Sequence, residues 1–171
     1  MNRKDVPNTG MLSVEIVEAD LNRTEHQQAV VDMINAYSMD PMGDGEPLPE
    51  EIRAALIPGL QQHPTTLIFL AYEGEKAIGI AVCFRGFSTF AARPLINIHD
   101  LSVLPDYRGK GVGRRLLEAV EWKARELGCC KLTLEVLENN HKARKIYEAA
   151  GFAQASYREE VGGALFYSRP L

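Results

Sequence analysis

Residues 103–117 read Val-Leu-Pro-Asp-Tyr-Arg-Gly-Lys-Gly-Val-Gly-Arg-Arg-Leu-Leu, and few folds accommodate such a run. An apolar strand end, a proline-marked turn, a glycine-dense loop and an amphipathic helix follow one another without a gap. Bare main chain is thereby placed at the positive end of a helix dipole, which is a site for an anion and above all for a pyrophosphate. Gly109, Gly111 and Gly113 stand at alternate positions and remove Cβ atoms that would hold a ligand away from the amides. Arg108, Lys110, Arg114 and Arg115 add positive charge beside them.

Two familiar phosphate loops do not fit. A Walker loop requires Ser or Thr directly after Gly-Lys to hold magnesium, and Lys110 is followed by Gly111. A dinucleotide fingerprint requires Gly-x-Gly-x-x-Gly after an early strand, whereas here the order is Gly-x-Gly-x-Gly and the strand comes late. The pattern that remains is Arg-x-x-Gly-x-Gly, carried by Arg108, Gly111 and Gly113. Downstream, Val136 is followed by Asn140, Ala143, Tyr147 and the pair Gly151-Phe152. The two stretches together resemble the acyl-CoA signature of the GNAT N-acetyltransferase superfamily.

That resemblance implies a single α/β domain over residues 1–171, with a mixed, mostly antiparallel sheet of about seven strands and about four helices. Residues 1–10 are expected to be a flexible N-terminus. The implied co-substrate is acetyl-CoA. Its pyrophosphate is expected on Arg108, Gly109, Lys110, Gly111, Val112, Gly113 and Arg114, and its pantetheine arm beside Leu101, Ser102 and Val103, paired as an added strand. A main-chain N–H near Leu101 or Ser102 would face the thioester oxygen. Tyr147 matches the usual proton donor to the CoA sulfur, and Ala143 matches a small residue where the cofactor comes close. Asn140 has two readings, a hydrogen bond to the cofactor or a cap on the last helix.

Periodicity lays out the rest of the chain. Residues 12–18 alternate as a half-buried strand, and a helix beginning at Thr24 presents Ala29, Val30, Met33, Ile34 and Tyr37 on one face. Residues 39–49 are a loop rich in Pro, Gly and Asp. A short helix over residues 49–60 is expected to bury Ile52, Leu56 and Leu60 and to end or distort at Pro58-Gly59. Runs at 66–72 and 77–84 flank Glu73-Gly74-Glu75-Lys76 as a hairpin, and Gly79 marks a bulge or a close approach. Then follow a strand at 95–103, a helix at 111–127 stopped by Gly128, a strand at 131–137, a helix from about Asn140 to Gly151, and two closing strands around Gly162-Gly163.

The candidates for a base are His99, Asp100 and Glu135, on the two strands that would flank the cofactor. Strict alternation places His99 with Leu101 on one face and Asp100 with Ser102 on the other, so His99 and Asp100 are not expected to share one task. A satisfied core histidine and surface acids are the structural alternatives. The segment 87–103 is similar to the diamine and polyamine N-acetyltransferase branch, where an acidic pair precedes the strand end. Asp100 matches the second acid and His99 stands in place of the first, so the acceptor is left as a primary amine of unstated skeleton.

Composition sets outer limits. A net charge of −4 argues against nucleic acid as a general partner. The longest apolar runs fall short of the ~18 residues of a membrane span, and residues 1–5 have no apolar stretch behind them. Three cysteines, two of them adjacent, suggest no disulfide framework and a reducing, cytoplasmic setting. Neither Cys129 nor Cys130 has the company of a nucleophile, and His26, His63, His99 and His141 lack metal-ligand spacing, so no metal is expected. A homodimer through the C-terminal strands is a family-level expectation. The competing functions are a non-catalytic acyl-CoA sensor or interaction module, transfer of a longer acyl group, and transfer to a protein N-terminus or an antibiotic amine.

Overall fold

A computed structural model of the chain describes residues 13–155 and 163–170. The chain forms two compact units, Met1–Glu135 and Val136–Leu171.

The first unit is built on strands β1 (Val14–Glu18), β2 (Thr66–Glu73), β3 (Lys76–Ser88), β4 (Arg93–Val103) and β5 (Leu132–Leu134), in the spatial order β1-β2-β3-β4-β5. All pairs are antiparallel except β4 with β5, which is parallel. Helices α1 (Thr24–Ser38) and α2 (Glu50–Gln62) cover one face of the sheet and α3 (Val112–Glu126) the other. On the first face Ala29, Val30 and Met33 of α1 and Ile57 of α2 pack with Ile68, Leu70, Ile80 and Val82. On the second, Val112, Leu116, Leu117, Val120 and Ala124 of α3 are buried. They recur three and four residues apart, the spacing that gives a helix one apolar stripe.

Three expectations need correction. Ile52 is exposed, and Ile57 is the α2 residue that is buried, because the core-facing stripe of this helix is rotated from the one read off the sequence. Pro58 does not end α2, which runs on to Gln62 with the His63 N–H donating to the Gly59 carbonyl at 3.1 Å. Both Pro58 and Ala54, whose carbonyl loses its N–H partner, lie on the exposed side of the helix, where an unpaired carbonyl costs little. The fifth strand is three residues long instead of seven, so Glu135 and Val136 lie beyond it.

The β2–β3 hairpin closes through Gly74-Glu75, with Gly74 at φ +58°. Near it the register skips Ile78, a bulge beside Gly79. Gly79 is also a point of close approach: a Cβ there would lie 3.1 Å from Leu116 Cδ1, 3.2 Å from Val112 Cγ1 and 3.3 Å from the Ser102 carbonyl. Gly79→Val is therefore expected to cost about 3 kcal/mol, seen as a lower urea midpoint with an unchanged slope.

The second unit contains helix α4 (His141–Ala149), ended by Gly151 at φ +87°. The expected flexible N-terminus and much of the two closing strands lie outside the described residues. Within them, Gly163 forms an isolated bridge, and the Ala164 N–H donates to the Ala155 carbonyl at 2.8 Å. Five strands and four α-helices are seen among the described residues, in the expected order as far as α4. No described helix is long and apolar enough to cross a membrane.

Candidate donor and acceptor site

Leu104 leaves β4 and enters a 3-10 turn at Pro105–Tyr107, after which Arg108, Gly109, Lys110 and Gly111 lead into α3. Gly109 at φ +73° and Gly111 at φ +84° occupy the left-handed region, where a Cβ is strained. Gly113 does not need that freedom. It lies within α3, and a Cβ there would meet only Val103 Cγ2 at 3.8 Å. The first helical bond after the loop runs from the Arg115 N–H to the Gly111 carbonyl at 3.1 Å. The amides of Val112, Gly113 and Arg114 precede it and face the open end of the helix.

The cations around these amides are not equivalent. Arg114 pairs along the helix with Glu118 at 2.8 Å. Lys110 stands 5.4 Å from the Tyr107 ring centroid, with Lys76 at 5.2 Å. The Tyr107 hydroxyl donates to Glu73 at 2.8 Å, which ties the loop to β2 and raises the pKa of the phenol. Arg108 is committed elsewhere. Its Nε donates to the Val103 carbonyl at 2.8 Å and its Nη2 to Asp40 at 2.5 Å. Lys110 and Arg115 are left without a carboxylate partner among the described residues.

The pairing of β4 changes along its length. It meets β5 only at Ile96, Asn97 and Ile98, opposite Leu132, Thr133 and Leu134. The Asn97 amide reinforces that contact by donating to the Thr133 hydroxyl at 3.1 Å. Beyond Ile98 no described strand pairs with the outer edge of β4. The other edge stays bonded to β3, with Leu101 opposite Ala81, Ser102 opposite Ile80 and Val103 opposite Gly79. The Leu104 N–H donates to the Ile78 carbonyl at 2.9 Å, so by alternation Ser102 bonds towards β3. Leu101 and Val103 present their main chain to the open edge. Of the two amides considered for the thioester oxygen, Leu101 is the one turned outward.

The splay begins at a bulge that strict alternation could not foresee. Val82 stands opposite Asp100 while Cys83 stands opposite Ile98, so His99 is the extra residue. A bulge shifts the facing of everything before it relative to everything after it. Asp100 falls on the Val82 face, and the His99 ring lies edge-on to Phe84 with centroids 5.5 Å apart, on that same face. The expected separation of His99 from Asp100 is thus wrong; they are neighbours on the side covered by α1 and α2.

Asp100 is half-buried, and burial pushes its carboxyl above the usual range against the opposing pull of His99. Tyr37 of α1 is pushed up by its own burial and then by Asp100, Asp40 and Asp44. Cys83 is buried, which together with Asp100 raises its thiol to about 12, far from a working nucleophile. All three cysteines are free. Glu135 is exposed and lies past the end of β5, away from any strand position.

In the second unit Asn140 acts as a cap, its side-chain oxygen accepting the Ala143 N–H at 3.1 Å. Tyr147 is half-buried, and its ring lies edge-on to Phe152 at 6.0 Å. The Phe152 N–H returns to the Tyr147 carbonyl at 2.9 Å, so the Gly151 turn fixes where that ring stands.

An open strand edge that leads into a helix N-terminus is a cradle for an extended ligand with an anionic head. The profile of the Acetyltransferase (GNAT) family matches residues 30–152, and the chain belongs to that family. It is 35% identical over 103 residues to the uncharacterized N-acetyltransferase YhfO of Bacillus subtilis, a match covering 60% of this chain and 65% of that protein. It is 34% identical over 79 residues to the thialysine N-epsilon-acetyltransferase of Bos taurus, covering 46% of each. The matches therefore span less than two thirds of either relative. In fold it is similar to an aminoglycoside acetyltransferase from an uncultured soil metagenomic sample, with a TM-score of 0.72 at 17% identity over 92% of this chain and 97% of the other.

Proposed function

We propose that this protein is an acetyl-CoA-dependent N-acetyltransferase that acetylates a primary amine of a small molecule by direct attack. The observation that carries the reading is the outer edge of β4 at residues 99–103, which no described strand pairs, continuous with the amides of the α3 N-terminus. An acyl-pantetheine arm fits that edge as an added strand, with Leu101 and Val103 supplying main-chain partners. Its pyrophosphate fits the glycine loop, where Gly109 and Gly111 leave nothing within 4 Å of a would-be Cβ.

In this reading the amine nitrogen attacks the thioester carbon, the C–N bond forms and the C–S bond breaks. The Leu101 N–H stabilises charge on the carbonyl oxygen, and the Tyr147 hydroxyl protonates the leaving thiolate. Asp100, with His99 beside it, holds the incoming ammonium and takes its proton. Asn140 and Ala143, at the start of α4, are proposed as further contacts to the cofactor. The bovine relative's name specifies an ε-amine, which supports a flexible aliphatic primary amine, such as a diamine, as the first acceptor to try.

Thiol release from acetyl-CoA, measured across diamines, polyamines, amino acids and aminoglycosides, tests the proposal. Release with at least one amine, together with mass gain on that amine, is the expected result. Tight calorimetric binding of acetyl-CoA with no release across the whole panel would instead make the protein a sensor.

A further inference from the structure

We propose that Asp40 is a positioning residue: through Arg108 it latches the loop at residues 39–49 onto the donor loop and so sets one wall of the acceptor site. The two partners are 68 residues apart in sequence. The Asp40 side chain is only 9% exposed, and both its oxygens are used, one accepting the Met42 N–H at 2.9 Å and the other the Arg108 guanidinium at 2.5 Å. Arg108 in turn holds the Val103 carbonyl at the end of β4. One side chain therefore grips the last residue of the donor strand and the first turn of the opposite loop.

The loop is shaped to be held this way. The Gly43 N–H donates to the Asp40 carbonyl at 2.8 Å and the Gly45 N–H to the Ser38 carbonyl at 2.8 Å. The Ser38 hydroxyl donates to the Glu46 carbonyl at 2.7 Å, and the Leu48 N–H to Asn35 at 2.9 Å. A Cβ at Gly43 would run into the Tyr37 carbonyl, so the chain folds tightly back on α1. Helix α1 packs against β4, the strand of Asp100, and Tyr37 at that fold is within the electrostatic reach of Asp100, Asp40 and Asp44. Moving the loop therefore moves the surroundings of the group that receives the amine. The charge of Arg108 is spent on Asp40, which leaves the anion to Lys110, Arg115 and the helix amides.

The kinetic part of this inference rests on the function proposed above; the structural part does not. Hydrogen exchange on the intact, ligand-free protein is the first measurement, comparing Asp40→Asn, Arg108→Met and the double variant. The Gly43 and Gly45 amides are expected to exchange about tenfold faster in each, with the double variant no faster than Arg108→Met, because all three lose the Arg108–Asp40 bond. Arg108→Met should be the worse single change, since it strands a nearly buried carboxylate. Unchanged exchange, or effects that add, overturns the latch.

The second measurement is steady-state kinetics with the amine found active. Asp40→Asn is expected to raise the amine KM about tenfold with kcat within about twofold, and not to weaken calorimetric binding of acetyl-CoA. Asp40→Glu should recover most of the KM. A parallel loss of acetyl-CoA affinity, or an unmoved amine KM, overturns the acceptor role. A wild-type protein that releases no thiol defeats the proposed function instead, and the exchange result still decides the latch.

Discussion

Tyr147→Phe is expected to lower kcat by about two orders of magnitude or more, while acetyl-CoA affinity stays within about twofold. In the proposed mechanism, loss of the hydroxyl removes the proton that the departing thiolate needs, while two contacts of the residue remain. Its ring is held edge-on to Phe152, and the turn at Gly151 returns the Phe152 N–H to the Tyr147 carbonyl; neither contact involves the hydroxyl. Stopped-flow thiol release and calorimetry on one preparation separate the two quantities. Full turnover at saturating amine would remove Tyr147 from the chemistry. A fall in affinity equal to the fall in rate would make it a binding residue only.

Asp100→Asn is expected to change activity and stability in opposite directions. Burial raises the Asp100 carboxyl in the folded protein, with His99 opposing. In the unfolded chain it titrates as an ordinary aspartate, near 3.9. The folded state therefore holds the proton more tightly, and stability is lost as pH rises through the window between the ordinary and the raised value. Above the ordinary value the folded state has lost that part of its stability, and pH 7 lies above it. Asn removes that loss, so the variant should melt higher at pH 7 and show a flatter acid dependence of stability. Turnover should fall by about tenfold to a thousandfold, with the acid limb of kcat/KM, displaced upward in the wild type, lost in the variant. If melting temperature at pH 7 falls instead, the ionised carboxylate is making a stabilising contact and its role as amine receptor is wrong.

Both substitutions concern residues whose proposed roles are legible at very different levels. Tyr147 stands at helical spacing from Asn140 and Ala143, and Gly151 terminates its helix, so local rules and the family pattern were enough to select it. The donor loop is legible for the same reason. Glycine at φ +73° and +84°, a proline-marked turn and a helix start are decided within about ten residues. The order of elements follows from hydrophobic period alone, because each strand or helix must bury one face.

His99 and Asp100 show where period fails. Alternation assumes an unbroken register, and the inserted residue at His99 turns the preceding part of β4 over relative to the rest, bringing the two side chains to one face. Nothing in Ile-His-Asp-Leu announces that bulge, which lies where the pairing of β4 with β5 ends. The short β5 is a second case: Glu135 and Val136 continue the alternating pattern, but no described strand pairs with them and β5 ends at Leu134. For Arg108, the sequence supplied a cation beside the phosphate loop, and only the folded chain shows Asp40 taking that charge.

What the sequence by itself determined is a glycine-dense loop at a helix start, the succession of strands and helices, and the α4 series from Asn140 to Gly151. These are short-range properties, set by backbone sterics and by the burial needs of single elements. The tertiary structure alone decided three things: the unpaired outer edge of β4 among the described strands, the placement of His99 and Asp100 on one face, and the link from Arg108 to Asp40. Each depends on register or on an ion pair between distant loops, and such contacts form only once the sheet has brought those segments together.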